Sequence, residues 1–335
     1  MTYCLPLIIT PAIFNGAVLI AEGDSVLYER GFGEADMAFN VPNTPDTKFR
    51  IASTTKQFTA ALIHLLAEEG RLDLEAPITN YLTQYPSSQG DRVTALHLLT
   101  HTSGIPNYTS LSTWDDIMRD PYAPDSFLSV FAGLDLEFEP GSQFNYSNSN
   151  YFVLGVLIEH LTGQSYADAL RERLLDPLGL YDSGYDTGTQ IVEQKAKGYV
   201  RNGEEYAPER YIDVSLPYAA GMMYSTVRDL HRWKRALHQG KPFQNAETLD
   251  QMLMPFGDNQ YGYAHGLGVN RRGFGADTLL SIGHGGHIEG FNSDDRYFPE
   301  REWTLIVLDN TNGNVGRIGN DLVRLLLGQQ VSAPE

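Results

Sequence analysis

Two apolar spacings alternate along the chain. Near the start, Ala17-Val18-Leu19-Ile20 and Ser25-Val26-Leu27-Tyr28 flank the turn Glu22-Gly23-Asp24. Asn15-Gly16 leads in and Gly31-Phe32-Gly33 closes the unit, so the stretch predicts a β-hairpin. Thr47-Lys48-Phe49-Arg50-Ile51-Ala52 reads as a further strand. From Thr54 the spacing lengthens. Phe58, Ala61, Leu62, Leu65 and Leu66 recur at i, i+3, i+4, i+7 and i+8, one apolar stripe of a helix running to Glu69. Gly70 is placed to end it.

The texture then changes. Leu72 to Leu82 gives short helical pieces, and Val93 to Thr100 a short apolar helix broken by Ser103-Gly104-Ile105-Pro106. Tyr108 to Leu134 is irregular and aromatic. Glu139-Pro140-Gly141 is a turn, a strong helix spans about Ser149 to Leu161 with Gly163 after it, and another spans Tyr166 to Leu175. Ile191 to Tyr211 is polar and reads as loops or weak strands. Thr226 to His238 is an amphipathic helix with Leu230, Trp233 and Leu237 on one side, and Ala246 to Met254 a shorter one. Four strand-like runs follow: Tyr263 to Val269, Leu279 to Gly283, Arg296 to Phe298 and Trp303 to Leu308. A helix from Val315 to Leu327 closes the chain.

Consecutive late strands imply antiparallel pairing, so the chain must cross back to its first hairpin. The expected fold is mixed α/β (α+β), an antiparallel sheet flanked by helices from both ends of the chain, with an inserted all-helical domain. Residues 1–71 with 191–335 would form the discontinuous α/β domain and 72–190 the insertion, with the active site in the cleft between them.

Composition narrows the partners. The formal net charge of -18 argues against nucleic acid and anionic membrane, which need basic patches. The single cysteine, Cys4, excludes an internal disulfide and a thiolate metal cluster. No apolar run is long enough to span a bilayer. Met1 to Phe14 is apolar but lacks a basic leader and a small-residue cleavage site, so no clear signal peptide is expected.

Candidate chemistry begins at Ser53-Thr54-Thr55-Lys56. Serine and lysine three apart share a face on the first turn of a helix. A neutral amine there can take the hydroxyl proton, and the helix N-terminus favours an oxyanion. The same four residues also fit a helix cap beside a solvated lysine. Tyr146-Ser147-Asn148 is the one Tyr-x-Asn among 19 tyrosines. It precedes a helix, where a phenol can shuttle a proton and an amide can orient the lysine or a substrate carbonyl. Gly283-His284-Gly285-Gly286-His287 follows an apolar strand. Its glycines allow a ligand to approach the backbone, and an open strand edge can supply an N–H to an oxyanion. A histidine there can donate a hydrogen bond or, when protonated, bind a carboxylate.

In order and spacing, Ser53-x-x-Lys56, Tyr146-x-Asn148 and His284-Gly285-Gly286 resemble the three motifs of the serine β-lactamase and penicillin-binding-protein superfamily. The likeness is nearest to its class C β-lactamase, D-Ala-D-Ala carboxypeptidase, D-aminopeptidase and esterase group. Leu98 to Gly104, Pro140-Gly141 and Ala220 to Thr226 are also alike, and the resemblance covers nearly the whole chain from about Phe14. It implies a β-lactamase/transpeptidase-like fold and an acyl-enzyme on Ser53, with proton transfer shared by Lys56 and Tyr146. Which of the two is the base stays open, as for any coupled pair. The resemblance further implies that Asn148 positions Lys56 and the substrate amide. His284, Gly285, Gly286 and His287 would line the substrate, and the N–H groups of Ser53 and His287 would form the oxyanion hole.

Many relatives carry lysine where this chain has His284, and histidine there is commoner among D-amino-acid peptidases and esterases. The expected activity is therefore hydrolysis of D-amino-acid peptides or amides, or of small esters, without metal or organic cofactor. A class C-like β-lactamase and a non-turnover penicillin-binding sensor are the alternatives. The resemblance also implies a peptide or small-molecule partner, an N-terminal helix that is shortened or missing, and a periplasmic or secreted setting as is frequent in the family. His97 and His101 have a metal-ligand spacing, but Leu98 stands where a zinc protease needs glutamate, so core or capping roles are expected.

Overall fold

The computed structural model describes residues 14–203, 205–257 and 262–331. Cys4, and the place where a shortened N-terminal helix was expected, lie outside them. In chain order the elements that place the site are β1 (Gly16–Glu22), β2 (Ser25–Phe32), β3 (Phe49–Arg50), α1 (Lys56–Glu68), α2 (Ala95–Leu99), α3 (Asn148–Thr162) and β4 (Gly184–Tyr185). They continue with β5 (Met223–Ser225), α4 (Val227–His238), β6 (Gly268–Phe274), β7 (Asp277–Ile288), β8 (Phe291–Phe298), β9 (Trp303–Asp309) and α5 (Val315–Leu326).

The main sheet has six strands in the order β6-β7-β8-β9-β1-β2, all antiparallel. The early hairpin joins the late strands through β1 and β9, where Ile20 faces Leu305, so the chain crosses back as expected. Alternate residues of these strands enter different cores, the period-two consequence of the pleat. Val18, Ile20, Leu305 and Val307 pack with Ile318 and Leu322 of α5. Ala17, Leu19, Ile306 and Leu308 belong to the larger core with Phe58, Leu62 and Trp233. Both faces are therefore covered, which is why β9 is buried along its whole length and shows no polar alternation. Trp233 stacks on Phe58 with ring centroids 4.2 Å apart, fixing α4 against α1.

Between residues 72 and 190 the chain is helix and loop apart from β4. α3 is buried over most of its length and ends at Gly163, φ +71°, in the left-handed cap a glycine supplies.

Four expectations change in detail. Of Thr47 to Ala52 only Phe49 and Arg50 are strand, in a small sheet ordered β3-β5-β4. The extended run stops because Ala52 turns into the left-handed region, φ +47°. Tyr263 to Val269 is not a strand until Gly268. Gly262 and Gly266 take φ +55° and +76° there, and a Cβ on Gly266 would sit 2.6 Å from the Lys56 carbonyl oxygen, so the segment is folded against α1. The helix expected over Tyr166 to Leu175 widens into a π turn after Leu170. β7 runs past Gly283 and takes in the whole His-Gly-Gly-His stretch. Among the described residues, no helix is long and apolar enough to cross a membrane.

Candidate active site

Ser53 sits in a single 3-10 turn, Ala52–Thr55, that leads directly into α1. Its side chain makes no capping bond, and Ile51 occupies the cap position. The turn is pinned from two sides. The Ile51 N–H donates to the Met223 carbonyl at 2.9 Å and the Met223 N–H to Thr55 Oγ1 at 3.2 Å. From the sheet, Ser293 Oγ donates to the Ile51 carbonyl at 2.7 Å and lies 2.9 Å from Thr54 Oγ1. A Cβ on Gly286 would come within 2.3 Å of the Ile51 carbonyl oxygen, so only glycine lets β7 pass this close. The left-handed Ala52 costs on the order of 1 kcal/mol, and the pinned turn holds it there.

Lys56 is the centre of the site. It is fully buried, and its Nζ lies 2.7 Å from the Ala220 carbonyl, 2.9 Å from Asn148 Oδ1 and 3.2 Å from Ser53 Oγ. No carboxylate pairs with it among the described residues. Burial without a countercharge holds its pKa well below the usual lysine value. The hydrogen-bond partners also accommodate a neutral amine. A neutral amine has two N–H groups and one lone pair. The Ala220 and Asn148 oxygens can only accept and take both hydrogens. The lone pair is left for the Ser53 hydroxyl.

Tyr146 comes from the loop before α3, and Asn148 is the first residue of that helix. The Asn148 N–H donates to Asn107 Oδ1 at 3.1 Å. His101 packs on the Tyr146 ring at 4.3 Å, and its Nδ1 accepts the Ser147 N–H at 3.2 Å. Tyr146 hydrogen-bonds the Ser53 hydroxyl, and burial pushes its pKa above the ordinary phenol value. Tyr146 is thus a protonated phenol that can give a proton. The capping and core roles expected for the histidine pair are found: His97 completes a capping box with Thr94 on α2, and His101 is buried.

The third motif lies on an edge. β6 pairs with β7 only as far as Gly268 opposite Gly283, while β8 continues to Ile288. His284 to Ile288 therefore has a strand neighbour on one side only, in the form a backbone-pairing ligand needs. The Nδ1 of His284 donates to the Gly285 carbonyl, which can only accept, and its Nε2 lies 3.2 Å from the Tyr263 hydroxyl. Burial pushes its pKa down to about 4. That shift favours the neutral ring over the imidazolium that would bind a carboxylate. His287 is exposed, with its Nδ1 2.7 Å from Asn292 Oδ1.

Two cavities belong to the site, one lined by Ser53 itself and one by its partner Tyr146. One of about 510 Å³ is lined by Tyr146, Tyr263, Arg272, His284 and Gly285. The other, about 270 Å³, is lined by Ser53, Trp114, Asn148, Ile212, His287 and Glu289.

Sequence reasoning missed the Ala220 carbonyl on Lys56, although its stretch had been noticed as family-like. It missed Tyr263, which had been placed in a strand. It also missed a second buried lysine. Lys234 of α4 lies 3.1 Å from Asp295 Oδ2, with both side chains wholly buried. Gln57 bridges them, accepting from Lys234 at 2.8 Å and donating to Asp295 at 2.8 Å. Asp295 Oδ1 accepts the His284 N–H at 2.8 Å. Nothing in the helical spacing of Lys234 distinguishes it from a solvated lysine.

A family model described as Beta-lactamase matches residues 10–329. The chain is 35% identical to penicillin-binding protein 4* of Bacillus subtilis (strain 168), covering 96% of this chain and 74% of that protein. Its fold is similar to a penicillin-binding protein from Bacillus halodurans, with a TM-score of 0.84 at 24% identity over 93% of this chain and 96% of that one. It is also similar to D-amino acid amidase from Ochrobactrum anthropi SV3 complexed with L-phenylalanine amide. The TM-score there is 0.78 at 27% identity, over 93% and 94% of the two chains.

Proposed function

Because the chain belongs to the β-lactamase family of serine hydrolases, we propose that it works by acyl transfer through Ser53 on D-amino-acid-containing peptides or amides, or on small esters. The observation that carries this reading is the setting of Lys56: buried, without a countercharge among the described residues, its Nζ 3.2 Å from Ser53 Oγ and held by the Ala220 and Asn148 oxygens. Likeness to a D-amino acid amidase supports the amide substrates.

The steps follow from the geometry. Ser53 Oγ attacks the substrate carbonyl carbon as its proton passes to the Lys56 lone pair. The carbonyl electron pair moves onto oxygen, facing the N–H groups of Ser53 and His287. When the tetrahedral intermediate collapses, the leaving nitrogen or oxygen takes the Tyr146 phenol proton and the Lys56 proton refills the phenol. Water then attacks the acyl-enzyme, giving its proton to the same pair, and Ser53 leaves reprotonated. Lys56 is the base and Tyr146 the relay on this reading, since one is held neutral and the other protonated. The helical block of residues 72–190 brings Tyr146 and Asn148 to the cleft. Residues 1–71 with 191–335 bring Ser53, Lys56 and the β7 edge, and we treat the two as separate domains.

A panel of D- and L-amino-acid amides, p-nitrophenyl esters and a chromogenic cephalosporin, compared by kcat/KM, tests the reading. Turnover of an amide or ester that disappears in Ser53→Ala supports it. Turnover confined to the cephalosporin would make the chain a β-lactamase. A stoichiometric burst without turnover on every compound would make it a binding module.

A further inference from the structure

The two cavities beside Ser53 differ in charge, and the difference assigns a side to each half of the substrate. A leaving group must receive its proton from Tyr146, so it lies in the cavity lined by Tyr146 and His284, which carries a cation, Arg272. The acyl half must then lie on the other side, among Asn148, Trp114, Ile212 and His287. That smaller cavity is lined by no lysine or arginine, and its one carboxylate is Glu289.

Glu289 stands in the turn between β7 and β8, directly after the edge that ends at Ile288. It forms no ion pair and no hydrogen bond among the described residues. Burial raises the pKa of nearby half-buried Glu209, and the charge of Glu289 adds to that shift. A carboxylate without a partner at the wall of a reaction cavity disfavours anionic acyl groups and favours a cation. Trp114 lines the same cavity and is an aromatic ring of the kind an ammonium packs against. The apolar wall at Ile212 leaves space for a small side chain.

We propose that Glu289 is the receptor for an ammonium group on the acyl half of the substrate. This rests on the Ser53 acyl-transfer reading and narrows it. The preferred substrates carry a free amine on the residue whose carbonyl is attacked, as in an amino-acid amide, an amino-acid ester or the first residue of a peptide. N-blocked acyl donors, the carboxypeptidase and β-lactam type, fit this cavity less well.

The test compares the methyl esters of D- and L-alanine with their N-acetyl derivatives, using p-nitrophenyl acetate as a neutral reference. The expected wild-type preference in kcat/KM for the free amine over its acetylated form is about tenfold or more, the size of a charge-assisted hydrogen bond. In Glu289→Gln that ratio should fall to about one, mainly through KM, and Glu289→Asp should restore part of it. The wild-type ratio should also decline above about pH 8, where an α-amino group loses its proton. A ratio near one in wild type, or unchanged in Glu289→Gln, overturns the assignment. Turnover of p-nitrophenyl acetate with no alanine ester hydrolysed overturns it too, while leaving Ser53 as the nucleophile. Failure of wild type to turn over p-nitrophenyl acetate or any alanine ester overturns the acyl-transfer reading as well.

Discussion

Lys56 and Lys234 are both wholly buried, and they stand on adjoining parts of the same interior, Lys234 touching Gln57, the residue after Lys56. Yet their surroundings are opposite. Burial lowers the Lys234 pKa, and the Asp295 carboxylate at 3.1 Å offsets part of that shift. Lys56 meets only neutral oxygens, and burial acts on it unopposed. Burial alone thus does not make a base. A buried amine with a countercharge is a strut, and one without it is poised to accept a proton. In this chain the strut supports the site. Asp295 also holds the His284 backbone, so the pair ties α4 to the β7 edge across the sheet.

The contrast can be broken at either lysine. Lys56→Met should lower kcat by about a thousandfold while leaving the denaturation midpoint equal or higher, because the variant removes a buried, unpaired amine. Retention of near wild-type kcat would make Lys56 structural. Asp295→Asn should destabilise the fold by about 3 kcal/mol, as it leaves Lys234 buried without its partner. Adding Lys234→Met should recover most of that loss in urea unfolding. No recovery would mean that the pair is not what Asp295 serves.

Giving Lys56 the countercharge that Lys234 has should sharpen the comparison. Asn148→Asp places a carboxylate beside Nζ, which favours the ammonium and raises the pKa of Lys56. The acid limb of the kcat/KM profile, where Lys56 becomes protonated, should then shift to higher pH by about one unit or more. An unmoved limb would assign it to another group.

The smallest effect concerns a buried pair with no charge at all. His64 Nε2 lies 2.8 Å from His265 Nδ1, and burial pushes their pKa values down to about 4 and about 3. Unfolded histidines take up protons near pH 6.5, so below that value the unfolded chain binds more protons than the folded one. Their contribution to stability is complete above about pH 6.5 and is lost as pH falls toward 4. The slope is at most about 1.4 kcal/mol per pH unit for each ring. His64→Leu should flatten this slope, and an unchanged slope would place the acid sensitivity elsewhere.

How much of this was legible follows from the range of each interaction. The hairpin at Gly23, the α1 stripe and the α3 helix were readable because their signals are local: a turn glycine, a 3.6-residue period, a glycine cap. Ser53, Lys56, Tyr146, Asn148 and His284 were readable as motifs because each is a short string with fixed order. The strand expected at Tyr263 to Val269 was not correct, since its apolar alternation is overridden by glycines that fold it onto α1. The protonation of His284 was not legible either. It depends on burial and on the contacts with Tyr263 and Gly285, which arise only in the folded chain.

The sequence by itself determined the family, the element order and the identity of the reactive groups, because nearest-neighbour sterics and hydrophobic period act along the chain. Only the tertiary structure decided which charges those groups carry. Lys56 and Lys234 look alike as letters, each a lysine at the edge of a helical pattern. Desolvation and the distance to a carboxylate separate them, and both are set by residues far away in sequence, Ala220 and Asn148 for one and Asp295 for the other.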